Sequence, residues 1–290
     1  MLCELKNAKK HFSLGSPFWG ASKEIVKAVD GVDLSLMPGE TFSVVGESGS
    51  GKSTLARLVC DLYRADGGEV LFEGSNIRGM DKNQYRAYRR SVQMVFQDPF
   101  SSLDPRFTVE KILKEAFTLE TKVDGEEKLE RIRETLKAVE LPHDILLRYP
   151  HEFSGGERQR LSIARAVLSR PKLVILDEAV SSLDVLVQGQ ILDLLSSLKK
   201  RFGLTYLFIS HNLRVVAKIS DKIAVMYKGK IVETGPAPKL VSHPVHPYTR
   251  ELWSAAVEYV PRHENRSWSL PADGRGKFFT KDHWAMDTVN

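Results

Sequence analysis

The chain has 290 residues, 42% of them hydrophobic, enough to bury a sizeable core, and that length ordinarily divides into about two lobes. Forty-two Lys and Arg against 37 Asp and Glu leave a formal charge of +5, a weakly cationic balance that argues against a dedicated nucleic-acid surface. Apolar runs such as Leu173–Leu176 fall far short of the ~20 residues that cross a bilayer, the N-terminus lacks a signal-peptide apolar core, and Cys3 and Cys60 belong to no CxxC or Cys/His cluster; a soluble cytoplasmic chain without disulfide framework or zinc site is expected.

Short alternations of apolar and polar residues over 2–7 and 25–36 predict half-buried antiparallel strands. Pro38-Gly39 turns the chain into Thr41–Val45, apolar and β-branched enough for a buried strand, and Lys52–Leu62 follows with helical character. Gly68–Phe72 reads as part of a hairpin, and Tyr85–Arg90 and Thr108–Leu119 as helices flanking a Pro-containing loop, Gln97–Pro105. Lys122–Glu140 is a charged helix with one packing stripe, Leu129, Ile132, Leu136 and Val139. A buried strand at Leu173–Leu176, a helix around Val187–Arg201 and a strand at Thr205–Ile209 alternate as in a parallel sheet with helical crossovers. Beyond about residue 240 come paired His-Pro steps, periodicity only over Tyr248–Val257, and a polar tail of about thirty residues with weak structural signal. His243 and His246 read as exposed residues of a turn-rich linker, lacking the further ligands of a metal site.

Gly46-Glu47-Ser48-Gly49-Ser50-Gly51-Lys52-Ser53 matches G-x-x-x-x-G-K-S, follows a predicted strand and opens a predicted helix. Glycines let consecutive N–H groups converge on phosphate oxygens, where the helix start adds partial positive charge. Lys52 is placed for the outer phosphates, the Ser53 hydroxyl for Mg²⁺, and Thr54 to assist at the phosphates. The apolar run Leu173–Leu176 ends in Asp177-Glu178, two acids at the C-terminal end of a buried strand, where doubly wound sheets build their ligand crevice. Asp177 is the candidate to hold the metal, directly or through a water, and Glu178 to orient and deprotonate an attacking water. A strand running into a solvated turn is the alternative for the acids taken alone; the cradle upstream favours the catalytic reading.

Phe153-Ser154-Gly155-Gly156-Glu157-Arg158-Gln159 resembles the L-S-G-G-Q signature of the ATP-binding-cassette family. The resemblance implies an α/β fold: a P-loop NTPase core, mostly parallel sheet with helices, an antiparallel β-subdomain, a helical subdomain and a short C-terminal extension. On this plan 1–90 holds the first part of the core with the β-subdomain, 91–152 the helical subdomain, 153–240 the rest of the core, and 241–290 the extension. It also implies that ATP is sandwiched between Lys52 of one protomer and Ser154, Gly155, Gly156 and Glu157 of another, in a head-to-tail dimer. Gln97 is similar to the family's metal- and water-sensing glutamine, Ser182-Leu183-Asp184 to its D-loop, and His211 to its switch histidine. Phe12 resembles the adenine-stacking aromatic, with packing beneath the first strands as the alternative, and Arg158 and Arg165 are assigned to helix packing or ion pairing.

Gln97-Asp98-Pro99-Phe100-Ser101-Ser102-Leu103-Asp104-Pro105-Arg106 and His243-Pro244-Val245-His246-Pro247-Tyr248-Thr249 resemble the oligopeptide/dipeptide importer ATPases, a group that includes nickel and other small-solute importers. The implied partners are two integral-membrane permease subunits pressing on Gln97–Arg106, a second ATPase of the same or related sequence, and indirectly an extracytoplasmic solute-binding protein, with the chain peripheral on the cytoplasmic face of the membrane. Glu157 departs from the usual glutamine and puts a carboxylate near a polyanion, which throws more of the binding onto Ser154 and slows turnover. Ala179 stands where proline is frequent, and the tail lacks the cysteines of an iron–sulfur centre, so none is expected. A rival reading is a soluble cassette acting on DNA or ribosomes; the spacing between Lys52 and Ser154 leaves no room for a long coiled coil, and only one cassette is present.

Overall fold

Alternation along the first strands fixes which face they bury. β1 (Cys3–Leu14) pairs antiparallel with β2 (Glu24–Leu36), Leu5 opposite Leu34 and Phe12 opposite Val26. Cys3, Leu5, Val32, Leu34 and Leu36 are buried while Lys6 and Asp33 are exposed. The computed structural model describes residues 1–14, 24–98, 102–120, 123–257, 276–280 and 283–286. The chain divides into two compact units, one made of Met1–Leu36, Glu40–Asn76 and Phe208–Asn290, the other of Met37–Gly39 and Ile77–Leu207.

In the first unit β4 (Gly67–Phe72) pairs antiparallel with β1 and turns into the short β5 (Ser75–Asn76), giving an antiparallel sheet in the order β2-β1-β4-β5. β3 (Thr41–Val45) is buried along its whole length and runs parallel to β9 (Lys222–Tyr227). β9 turns back through Lys228-Gly229 into β10 (Lys230–Pro236), and two strands of the tail, β12 (His283–Met286) and β11 (Gly276–Thr280), add antiparallel beyond it. The helix Lys52–Val59 leaves β3 through the glycine loop. It stops three residues before the predicted Leu62 because Asp61 takes a left-handed φ of 52° and Leu62 N–H turns back to Arg57 O.

The second unit holds β6 (Val92–Val95) and β7 (Leu173–Asp177), parallel with Val95 beside Leu176. Around them lie the helices Lys82–Ser91, Val109–Glu115, Gly125–Ala138, Gly155–Leu168 and Val185–Phe202. The helices predicted over 108–119 and 122–140 persist with shorter ends, while those predicted over 85–90 and 187–201 extend to Lys82–Ser91 and Val185–Phe202. Thr108 is the N-cap of Val109–Glu115, whose C-terminus tightens into i→i+3 bonds such as Thr118 N–H to Glu115 O instead of continuing to Leu119. Lys122 lies outside the described residues, and the charged helix starts at Gly125 because the Asp124 carboxylate caps Glu127 N–H at 2.8 Å. β8 (Thr205–Ser210) contains the boundary between the units.

Several features of the fold differ from the expectation. β6, β9 and β10 were assigned no element, and the tail supplies strands where weak structure was expected. His246, expected to be exposed, is 1% exposed; its N–H donates to a buried glutamate on β10, which draws the Pro-flanked segment inward. Among the described residues no helix is long and apolar enough to cross a membrane.

One buried ion pair ties the helix Gly125–Ala138 to its neighbours. Arg131 donates to both Glu120 oxygens at 2.7 and 3.0 Å and to Leu168 O at 2.7 Å, with both side chains under 10% exposed. Removing one partner strands the other charge, so Glu120→Ala is expected to cost about 3 kcal/mol of unfolding free energy in urea denaturation, far more than an exposed pair would.

Candidate active site

The cradle in the first unit is built by close approach. Gly46 has φ 154°, and a Cβ there would sit 2.2 Å from Met226 O; at Gly51, φ 109°, a Cβ would fall 1.9 Å from Ala28 O. The backbone of β9 and β2 therefore presses against the loop at both glycines, and any larger residue would push the loop out. Gly229 N–H, in the turn after β9, donates to Ser50 O at 2.9 Å. Gly51 opens the helix Lys52–Val59, so the N–H groups of its first turn face the loop. Lys52 is 4% exposed, and its ammonium donates to Gly46 O at 2.9 Å, Glu47 O at 2.7 Å and Ser50 Oγ at 3.4 Å. A cation held inside a glycine loop that runs into a helix N-terminus is chemically matched to a polyphosphate. Glu47, Ser48 and Gly49 are exposed at the rim, and Ser53 and Thr54 are half-buried on the first helical turn.

His211 also belongs to this unit, exposed at the C-terminal end of β8. The next residue, Asn212, caps Leu213–Ile219 by accepting from Arg214 N–H and Val215 N–H, which fixes the chain just beyond the histidine. Phe12 is half-buried, edge-on to Tyr63 with centroids 5.5 Å apart and Lys10 Nζ 5.4 Å from its ring. One face of it is thus already engaged within the unit.

In the second unit Asp177 ends β7 at 3% exposure and Glu178 follows half-buried with φ 50°, a left-handed conformation disfavoured for a residue with a side chain. Its carbonyl accepts from Ser181 N–H at 3.0 Å and Ser181 Oγ at 2.8 Å, which holds the turn in place. Gln97, 81 positions earlier, donates its Nε2 to Glu178 Oε2 at 3.0 Å. The structure thereby brings together two of the residues singled out in sequence. Of the segment after Gln97, Pro99, Phe100 and Ser101 lie outside the described residues, while Arg106 grips the Asp104 carboxylate at 2.8 and 3.0 Å and holds it at about 2, well below the usual carboxylate range.

The signature segment caps its own helix. Ser154 N–H donates to Glu157 Oε2 at 2.9 Å, Ser154 Oγ donates to the same oxygen at 2.7 Å, and Glu157 N–H points back to Ser154 Oγ at 3.4 Å. This is the reciprocal S-x-x-E capping box. The hydroxyl and N–H of Ser154, together with the nearby Arg148 and Arg158, hold the Glu157 carboxyl below its ordinary range. The Ser154 hydroxyl is thus engaged by the Glu157 carboxylate within the segment. Gly156 packs against the following element, a Cβ there meeting Val187 Cγ1 at 2.9 Å. Asp184 is exposed and caps Val185–Phe202 through Val187 N–H at 2.9 Å, and Gln188 Nε2 donates to Val180 O and Leu183 O. Gln188 and Ser181 are positioning groups that sequence reading missed, since an isolated polar residue carries no periodic signal. Arg158 and Arg165 reach the carbonyls of Pro150 and Ser102, a packing role as expected.

Residues 29–181 match the ABC transporter family. Over 255 residues the chain is 47% identical to the oligopeptide transport ATP-binding protein AppF of Bacillus subtilis, covering 88% of this chain and 78% of that protein. Over 269 residues it is 44% identical to the glutathione import ATP-binding protein GsiA of Escherichia coli K12, covering 93% of this chain but only 43% of that longer protein. A solved dimeric ATP-binding cassette in a post-hydrolysis state, bound to ADP and Pi, superimposes with a TM-score of 0.70 at 27% identity, over 81% of this chain and 99% of that one.

Proposed function

The chain belongs to the ABC transporter family as an ATPase, and from this we propose that it powers import of peptides or a peptide-like solute by hydrolysing ATP on the cytoplasmic face of a membrane transporter. The similarity to AppF carries the peptide assignment, and GsiA extends the class to small thiol peptides. Lys52 and the loop from Gly46 to Thr54 take the phosphates, and Phe12 takes adenine on its remaining face. The Ser53 hydroxyl and Asp177 supply hard oxygen ligands suited to Mg²⁺, which neutralises charge on the transferring phosphoryl group. Glu178 accepts the proton of the attacking water, Gln97 orients that carboxylate and senses the metal, and His211 donates toward the γ-phosphate.

A head-to-tail dimer completes the site in this reading. Next to the exposed Asp184, Val185 and Leu186 are 86% and 74% exposed, an apolar pair on the first helical turn after the D-loop that a partner would cover. The partner's D-loop and signature then close over the cradle, with the second ATPase identical or related, and two permease subunits and a solute-binding protein complete the importer. Reconstituted with its permeases in liposomes, the transporter is expected to accumulate oligopeptides in an ATP-dependent manner; uptake of nickel, with none of peptide or glutathione, would overturn the assignment.

Glu157 gives this proposal a sharper test. Its carboxylate occupies Ser154 Oγ and carries a negative charge into a surface that meets ATP. Glu157→Gln keeps the box geometry without the charge. ATP-driven dimerisation, followed by analytical ultracentrifugation in a hydrolysis-deficient background, is expected to tighten about two- to fivefold, the scale of a solvent-screened charge contact.

A further inference from the structure

We propose that Tyr248 is a positioning residue of the nucleotide site: its hydroxyl holds the entry of the phosphate cradle in the shape that receives ATP, and a buried carboxylate on β10 holds the tyrosine. The proposal rests on the reading of Gly46–Thr54 as the nucleotide cradle and adds to it a residue 194 positions beyond Thr54.

Glu47, the second residue of the loop, donates its backbone N–H to Tyr248 Oη at 3.0 Å. Tyr248 is 3% exposed, so its hydroxyl is held in place at the half-buried bond, and removing it would leave the N–H without that acceptor. Burial pushes the phenol up to about 12, so Oη remains a neutral hydroxyl accepting through a lone pair at any physiological pH. The ring is clamped against Tyr227 with centroids 4.4 Å apart, and Tyr227 ends β9 just before the turn whose Gly229 N–H binds Ser50 O. The loop is thus gripped at Gly46 by Met226, at Ser50 by Gly229, and at Glu47 by Tyr248.

What fixes Tyr248 is the segment before it. Glu233 on β10 is 0% exposed, and its two oxygens accept Val245 N–H and His246 N–H, each at 2.9 Å. His283 Nε2 lies 2.6 Å from the first of these oxygens. Tyr248 N–H in turn donates to His246 Nδ1 at 3.2 Å, which leaves the proton of a neutral ring on Nε2, an atom with no partner among the described residues. Burial holds the His246 ring below its usual range, in keeping with that neutral form. A carboxylate taken wholly out of water is a costly way to gain stability alone, and two of its three partners here are the backbone N–H groups of one segment, with His283 of β12 as the third. That segment ends at the cradle. Without the hydroxyl, the loop samples conformations that do not present its N–H groups together, and apparent affinity falls by the fraction of time it is misplaced.

The test uses the full-length chain with Mg·ATP as the ligand, binding measured by equilibrium dialysis, steady-state kinetics alongside, and thermal melting of the nucleotide-free protein. Tyr248→Phe keeps the ring on Tyr227 and removes the hydroxyl. The expected result is a Kd and KM for ATP raised about three- to tenfold, with kcat at saturating ATP changed less than twofold, because Gln97 and Glu178 are untouched. Glu233→Gln, which keeps the side-chain shape but turns one acceptor into a donor, is expected to raise Kd in the same direction. A Tyr248→Phe protein that melts lower but binds ATP within twofold of wild type would overturn the proposal and leave the tyrosine a packing residue. Lys52→Ala, run in parallel, separates the two readings: if it loses ATP while Tyr248→Phe does not, the cradle stands and only the positioning role falls.

Discussion

Glu178→Gln is expected to lower ATP turnover by about 10²- to 10⁴-fold, the contribution of a positioned general base, while Mg·ATP affinity changes only a few-fold. The substitution is nearly isosteric, and the remaining carbonyl oxygen can still accept from Gln97 Nε2, the contact made at 3.0 Å. It also leaves the Ser181 bonds to the backbone carbonyl in place, so the left-handed turn at φ 50° survives. What disappears is the group that takes the proton. Single-turnover hydrolysis with bound nucleotide quantified separately distinguishes the cases: loss of chemistry with retained binding supports the role, and turnover at the wild-type rate excludes it. Gln97→Ala is a useful companion, since it loses the orienting contact but keeps the base and should fall between the two.

The parts of this site legible in sequence were those whose chemistry demands consecutive residues. Gly46 to Ser53 must be contiguous because one loop presents all its N–H groups to one ligand, and Asp177-Glu178 must follow an apolar run because a buried strand delivers them. Gln97 meeting Glu178 was not derivable from spacing; the family resemblance supplied the residue and the fold supplied the contact. The capping box at Ser154 and Glu157 is present in sequence as S-x-x-E, a spacing that a helix-capping pair and an anion-binding helix start share, and in the structure the two side chains satisfy one another. β9 and β10 were missed for a different reason. Glu233 interrupts β10 with a charge, and only the arrival of Val245, His246 and His283 from distant positions makes its burial tolerable. A pattern-based reading assigns such a residue to solvent, and with it the whole His-Pro segment.

Lys52→Ala is expected to raise the Kd for Mg·ATP by about 10²-fold or more, with a much smaller effect on binding of adenosine, as read by calorimetry. The prediction follows from the lysine's present partners. Its ammonium is 4% exposed and satisfied by two carbonyls and a hydroxyl of its own loop, all of them neutral acceptors. Exchanging these for phosphate oxygens adds ion-pair attraction to bonds that only the donor's charge now assists, in a place where water competes poorly. The gain is specific to the polyphosphate, so it vanishes for adenosine. Two features keep the loss from being merely structural. The close approaches at Gly46 and Gly51 involve backbone from β9 and β2, so the loop keeps its walls without the lysine. Glu47 N–H remains bound to Tyr248. A Lys52→Ala protein that melted normally and bound Mg·ATP as tightly as wild type would therefore mean that the loop's N–H groups alone carry the affinity, and the cation at its centre would need another role.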